Sequence, residues 1–253
     1  MNMKSNLKEM KEFIILLDTL DGMMRENVLN YKNENKEMLD VIDSIKQFMS
    51  KGILNNFEEI EEVLIIVDTV NGFMVGGLMA NPKAMHIVPK QIKLIEKILE
   101  RNGLLIFAKE CHDDNSTEFN DFPSHCLAGS WESELIEELK PYEKYGITIE
   151  KNSTSFVFAR GFLTLMKLLK NLKRVYGNGV CGDICVPNGF MPLKNYFDQN
   201  NRNVEIVIPL DSIDTFDSFN HDRFEYQHAS NMLMEQTGIK LVKTINDIEW
   251  SVK

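Results

Sequence analysis

Between residues 110 and 125 the sequence sets two glutamates and two histidines: Glu110, His112, Glu118 and His125. Imidazole and carboxylate together form a donor set for a divalent transition metal. Glu110 and His112 are two apart, and an extended segment turns such a pair to the same side. The plain alternative is a group of solvated loop residues, since glutamate is common in an acidic chain. Histidine usage speaks against it, because the chain holds five histidines and two fall here. His86, His221 and His228 lack such company and read as surface or capping residues.

Three further residues could do covalent chemistry. Asp68 follows the apolar run 63–67, where a carboxylate is costly without a partner or a task. Lys151 follows Ile147-Thr148-Ile149-Glu150, and Cys185 closes the segment Gly177-Asn178-Gly179-Val180-Cys181-Gly182-Asp183-Ile184 ahead of a helical stretch. Glycines there permit close backbone approach, and free N–H groups at a helix start favour a thiolate. Singly, each has a simpler reading: Asp68 as a cap, Lys151 as a side chain snorkelling to solvent, Cys185 as a small core residue. Together they are the parts of an activated thiol, namely a base, a cation and amides for an oxyanion. The Cys181-x-x-x-Cys185 spacing is neither a redox motif nor a good zinc clamp, and no glycine-rich nucleotide loop occurs.

All of these residues stand at one kind of place in the chain pattern. Six β-rich runs (63–67, 104–108, 147–149, 174–176, 204–208 and 240–242) alternate with helical stretches near 82–101, 132–140, 160–172, 185–199 and 222–237. Several runs are continuously apolar, as strands covered on both faces are. The pattern predicts an α/β fold, a three-layer α/β/α arrangement on a mainly parallel six-stranded sheet. In such sheets ligands lie beyond the carboxyl ends of the strands, which is where the candidate residues fall. Residues 1–58 differ in texture: they lack proline and place Met38, Val41, Ile42, Ile45, Phe48 and Met49 at helical spacing. The domain reading is a helical extension over 1–58, for packing or subunit contact, and an α/β domain over 59–253.

Composition narrows the function classes. With 253 residues and 43% of them apolar, the chain can bury a full core. A formal charge of −10, from 38 acidic against 28 basic residues, argues against a nucleic-acid or anionic-membrane partner. Four cysteines are too sparse for a disulfide framework, and the early apolar run 13–17 is too short to span a bilayer. A cytoplasmic location is expected.

The combined motifs over residues 61–245 resemble the isochorismatase-like cysteine hydrolase superfamily, and most of all its nicotinamidase branch. An Asp-x-x-Asn-x-Phe signature is matched by Asp68, Asn71 and Phe73. The metal loop is matched by Glu110-Cys111-His112 and Phe122-Pro123-Ser124-His125, with Glu118 in the place of an extra carboxylate ligand. The family lysine corresponds to Lys151. The nucleophile motif Gly-Val-x-x-Asp-x-Cys-Val corresponds to Gly179, Val180, Asp183, Cys185 and Val186, and Asp211 to Thr215 resemble the region after strand five. The first metal ligand is usually aspartate, and Glu110 is one methylene longer.

The resemblance implies hydrolysis of a small amide, nicotinamide first, through a thioester on Cys185. Asp68 would take the thiol proton, Lys151 would hold the charged pair, and the N–H groups of Cys181 and Cys185 would bind the oxyanion. A cis peptide would fall between Val180 and Cys181. One divalent metal, zinc first with iron or manganese as alternatives, would sit on Glu110, His112, Glu118 and His125 and orient a pyridine ring between Phe73 and Phe122. The other readings are a related amidase or carbamoyl hydrolase, and a non-catalytic binder on the same fold. A homo-oligomer is the expected assembly.

Overall fold

A computed structural model describes residues 59–250, and the helical reading of residues 1–58 lies outside them. Six strands form one sheet: β1 Glu62–Val67, β2 Leu104–Glu110, β3 Gly146–Lys151, β4 Arg174–Gly179, β5 Glu205–Pro209 and β6 Lys240–Val242. Their order is β3-β2-β1-β4-β5-β6 and every pairing is parallel. The α/β expectation therefore holds, with a sheet that is wholly parallel. All six residues of β1 are buried, as suits a strand bonded on both edges and covered on both faces. Strand order reverses between β1 and β4, which opens a crevice at their carboxyl ends.

Four α-helices of seven or more residues are seen among the described residues: α1 Val88–Glu100, α2 Phe162–Leu168, α3 Cys185–Gln199 and α4 Arg223–Gln236. Side chains alternate across the sheet, so Leu64, Ile66 and Tyr176 share one face, where they join a core with Leu94, Ile95 and Ile98 of α1. The opposite face meets α3. A Cβ at Gly177 of β4 would lie 2.4 Å from the Phe190 ring, and one at Gly189 of α3 would lie 2.0 Å from the Phe156 ring. Phe156 in turn contacts Phe190 at 5.1 Å between centroids. Gly177 thus lets α3, with Cys185 at its first position, pack close to the sheet, and Gly189 lets it close on the Phe156 ring beyond β3. Among the described residues no helix is long and apolar enough to cross a membrane.

Two helical readings need correction. The stretch 132–140 is not a helix. Only Trp131–Ser133 and Lys140–Glu143 make short turns, because Leu135 forms a bridge with Val70 and the Glu134 carbonyl accepts the Asn71 N–H at 2.9 Å. Backbone pairing with the segment after β1 overrides a good helical composition. The helix expected over 160–172 is confined to Phe162–Leu168, since Arg202 caps its end by donating to the Met166 carbonyl at 2.6 Å and to that of Leu169 at 2.5 Å.

Gly189→Ala tests the close packing. In an open helix this change stabilises by about 1 kcal/mol; here the methyl meets a fully buried ring, and overpacking costs about 1–3 kcal/mol. A net loss of stability by urea titration is expected, and a gain would show that α3 has room to spare.

Candidate active site

Strand register brings the candidate residues together. Glu110 and Lys151 are direct partners across β2 and β3. Alternation sends Lys109 and Glu150 to one face, where they pair at 3.7 Å, and turns Glu110 and Lys151 into the crevice. There Lys151 Nζ donates a hydrogen bond to the Glu110 carboxylate. Asp68, one residue past β1, sits at φ 49°, a left-handed conformation that costs a non-glycine residue about 1–3 kcal/mol. Its N–H donates to the Ala108 carbonyl at 2.8 Å, and its Oδ2 lies 2.8 Å from Lys151 Nζ. Cys185 Sγ is 3.8 Å from Glu110 Oε2. Asp68, Glu110 and Cys185 offer atoms that all lie within 4.8 Å of one another.

The turn before α3 supplies the amides. Gly179 has φ 123°, and a Cβ there would fall 2.0 Å from the Val67 carbonyl oxygen, so only glycine fits. The Val180–Cys181 peptide is cis. The Cys181 carbonyl accepts from the N–H groups of Ile184 and Val186 at 3.1 Å each, while among the described residues neither the Cys181 nor the Cys185 N–H is committed to a carbonyl. Both are left open in the turn that leads into α3, and Cys181 and Cys185 themselves line the cavity described below.

Burial governs the charges. Desolvation raises the Asp68 carboxyl, against the pull of Lys151. It also pushes Glu110 up to about 8, with the like charges of Asp68 and Glu118 adding to the rise. Burial alone would lower Lys151, yet Asp68, Cys185 and Glu110 hold it well above its ordinary value. Cys185 is pushed well up, first by burial and then by the two carboxylates, with Lys151 opposing. Cys185 therefore rests as a thiol, since a thiolate would add negative charge beside Asp68 and Glu110 in a buried site. Attack requires that its proton move to a carboxylate as the new bond forms.

Glu110, His112, Glu118 and His125 offer ligand atoms within 4.8 Å of one another. His125 Nδ1 donates to the Pro123 carbonyl at 2.7 Å, which leaves Nε2 with its lone pair. His112 Nδ1 donates to Asn152 Oδ1 at 2.8 Å. The amide orientation follows because Asn152 Nδ2 faces the Asp113 carboxylate, an acceptor. Burial lowers His112, keeping the ring neutral. His112 Nε2 and Glu110 Oε1 are buried 3.2 Å apart, and neither has a hydrogen-bond partner. Two orphaned donor atoms facing each other, with tautomers fixed from behind, fit a metal ion.

A cavity of about 280 Å³ joins the two groups. Phe73 and Phe122 line it, together with Cys181, Cys185, Glu110, Glu118 and His125. All of the site residues read from the sequence therefore converge. Others escaped that reading. Asn152 orients His112, and its only signal was its place next to Lys151. Phe216 and Ile184 also line the cavity. His221, read as a surface residue, is instead 11% exposed and bound to Asp183.

The sequence over residues 62–243 matches the isochorismatase domain family. No curated protein matches the chain. Among solved structures, N-carbamoylsarcosine amidase from Thermoplasma acidophilum aligns with a TM-score of 0.60 at 21% identity, over 76% of this chain and 100% of that one. The nicotinamidase from Bacillus subtilis gives 0.60 at 23%, over 73% and 100%. A pyrazinamidase from Pyrococcus horikoshii, in complex with zinc, gives 0.56 at 24%, over 72% and 98%. At these identities the likeness establishes the fold.

Asn152→Ala is expected to weaken divalent-metal affinity by roughly 10- to 100-fold, read by competition with a chromophoric chelator. Unchanged affinity would show that His112 needs no orienting partner.

Proposed function

The chain belongs to the isochorismatase family, and on that premise we propose that it is a cysteine-dependent amidohydrolase whose substrate is nicotinamide. The observation that carries the proposal is the meeting of Asp68, Lys151 and Cys185 in one buried cluster that shares Glu110 with a four-residue metal site.

The chemistry follows from the geometry. The substrate carboxamide carbon comes to Cys185 Sγ, and Asp68 takes the thiol proton as the S–C bond forms. Lys151 stays protonated and offsets the carboxylate before the transfer and the oxyanion after it. The free N–H groups of Cys181 and Cys185 receive the oxyanion. Asp68 then returns the proton to the nitrogen, ammonia leaves, and a thioester remains. Water, deprotonated by Asp68, cleaves it to the carboxylic acid and the thiol. A metal on Glu110, His112, Glu118 and His125, with zinc the first choice and iron or manganese the others, would supply a Lewis-acid anchor for a ring nitrogen or water.

Cavity lining favours a neutral aromatic amide over an anionic carbamoyl compound. Phe73, Phe122 and Phe216 supply ring-sized apolar walls, and no lysine or arginine lines the cavity among the described residues. A substrate carboxylate placed beside Asp217 would find no basic side chain among the described lining residues.

Cys185→Ala is expected to reduce ammonia release from nicotinamide by roughly 10⁴-fold or more; activity near that of the unchanged protein would falsify the thiol mechanism. Separately, the purified protein should carry about one divalent metal per chain, and stripping it should raise KM for nicotinamide. Full activity in protein shown by elemental analysis to be metal-free would rule out ring anchoring.

A further inference from the structure

His221 occupies a site that the hydrolytic chemistry leaves unexplained. Its Nε2 lies 2.6 Å from Asp183 Oδ2, and its Nδ1 lies 3.1 Å from the Phe216 carbonyl oxygen. Both partners are oxygen atoms within hydrogen-bond reach of the ring nitrogens. The ring stacks on Phe216 at 3.9 Å and 11°, and on Tyr226 at 4.0 Å and 30°. Two nearly parallel rings at that distance must lie on opposite faces of it. The other oxygen of Asp183 accepts from Thr215 Oγ1. The imidazole is thus fixed at both faces and both nitrogens.

What it joins is informative. Asp183 lies midway between Cys181 and Cys185, whose N–H groups are the open donors of the turn. Phe216 is a wall of the cavity. The carbonyl of Gly182, in the same turn, is held by Gln227 Nε2 at 3.1 Å and Ser230 Oγ at 3.0 Å of α4. The nucleophile turn is therefore already tied to α4 without His221. The turn is also tied to the segment just before Phe216, by the Gly182 N–H to the Asp214 carbonyl at 2.7 Å and by Thr215 to Asp183; what His221 adds is contact with the Phe216 ring and carbonyl themselves.

We propose that His221 is a positioning residue that braces the Phe216 wall against the nucleophile turn, and so sets how tightly the substrate ring is held. The proposal rests on the amidohydrolase reading for its substrate, and its test separates the two. His221→Phe keeps a ring between Phe216 and Tyr226 but removes both polar links. Loss of a charge-assisted hydrogen bond corresponds to roughly tenfold. KM for nicotinamide should rise by about that factor, with kcat within about threefold and little change in Tm. Labelling of Cys185 should shift in parallel: the preference for 3-(bromoacetyl)pyridine over iodoacetamide falls by a similar factor, because only the first reagent uses the aromatic wall. His221→Gln keeps one donor toward Asp183, should recover part of both losses, and decides the matter if the Phe variant does not fold. The brace is overturned if KM and the labelling preference are unchanged, or if both reagents slow equally while kcat and Tm fall. Wild-type protein that labels at Cys185 yet hydrolyses no carboxamide overturns the amidohydrolase reading, and the labelling preference still decides the brace.

Discussion

A buried ammonium group sets the terms for the rest of the site. Lys151 Nζ has three hydrogens, and around it stand Asp68 Oδ2 at 2.8 Å, the Glu110 carboxylate and the Ser153 carbonyl at 3.1 Å. The residue is 1% exposed. Taking such an ion out of water costs several kcal/mol, and removing one partner of a buried pair costs about 3–5 kcal/mol. The arrangement holds only if β1, β2 and β3 keep their register, because a slip of one residue would turn Lys151 to the Lys109–Glu150 face. Sheet pairing and site electrostatics are thus one constraint seen at two scales.

Glu110 extends that constraint to the neighbouring cluster. Oε2 faces Lys151 and Cys185 while Oε1 faces His112 Nε2. Its extra methylene relative to aspartate lets one carboxylate reach both groups. Charge placed on one side of Glu110 is felt on the other across a single functional group, in a pocket too dry to screen it. The thiol and the proposed metal are therefore parts of one electrostatic unit.

Much of this was legible in the sequence because it rests on local rules. Continuous apolar runs marked the covered strands, and Asp68, Lys151 and Cys185 stood where parallel sheets place ligands. The Glu110-x-His112 pair declared itself through strand alternation. What was not legible depends on distant partners. Residues 132–140 carry helical composition, yet the Val70–Leu135 bridge comes from a segment more than sixty residues earlier. His221 looked like a surface or capping histidine because Asp183 stands 38 residues earlier, and no spacing marks Phe216 and Tyr226, though near it in sequence, as stacking partners. Asn152 was passed over for a different reason: its role depends on which way its amide faces, and spacing carries no such information.

The strand order also bears on how the molecule is made. Strand β1 lies at the centre of the sheet, is apolar from Val63 to Val67, and needs β2 on one edge and β4 on the other. During synthesis it emerges first, gains β2 soon after, and keeps its second edge unpaired until β4 follows much later. An apolar edge left open is a template for pairing with other chains. The crevice that forms between β1 and β4 is therefore also the later of β1's two seams to close, and the ribosome must deliver most of the domain before that seam is safe from aggregation.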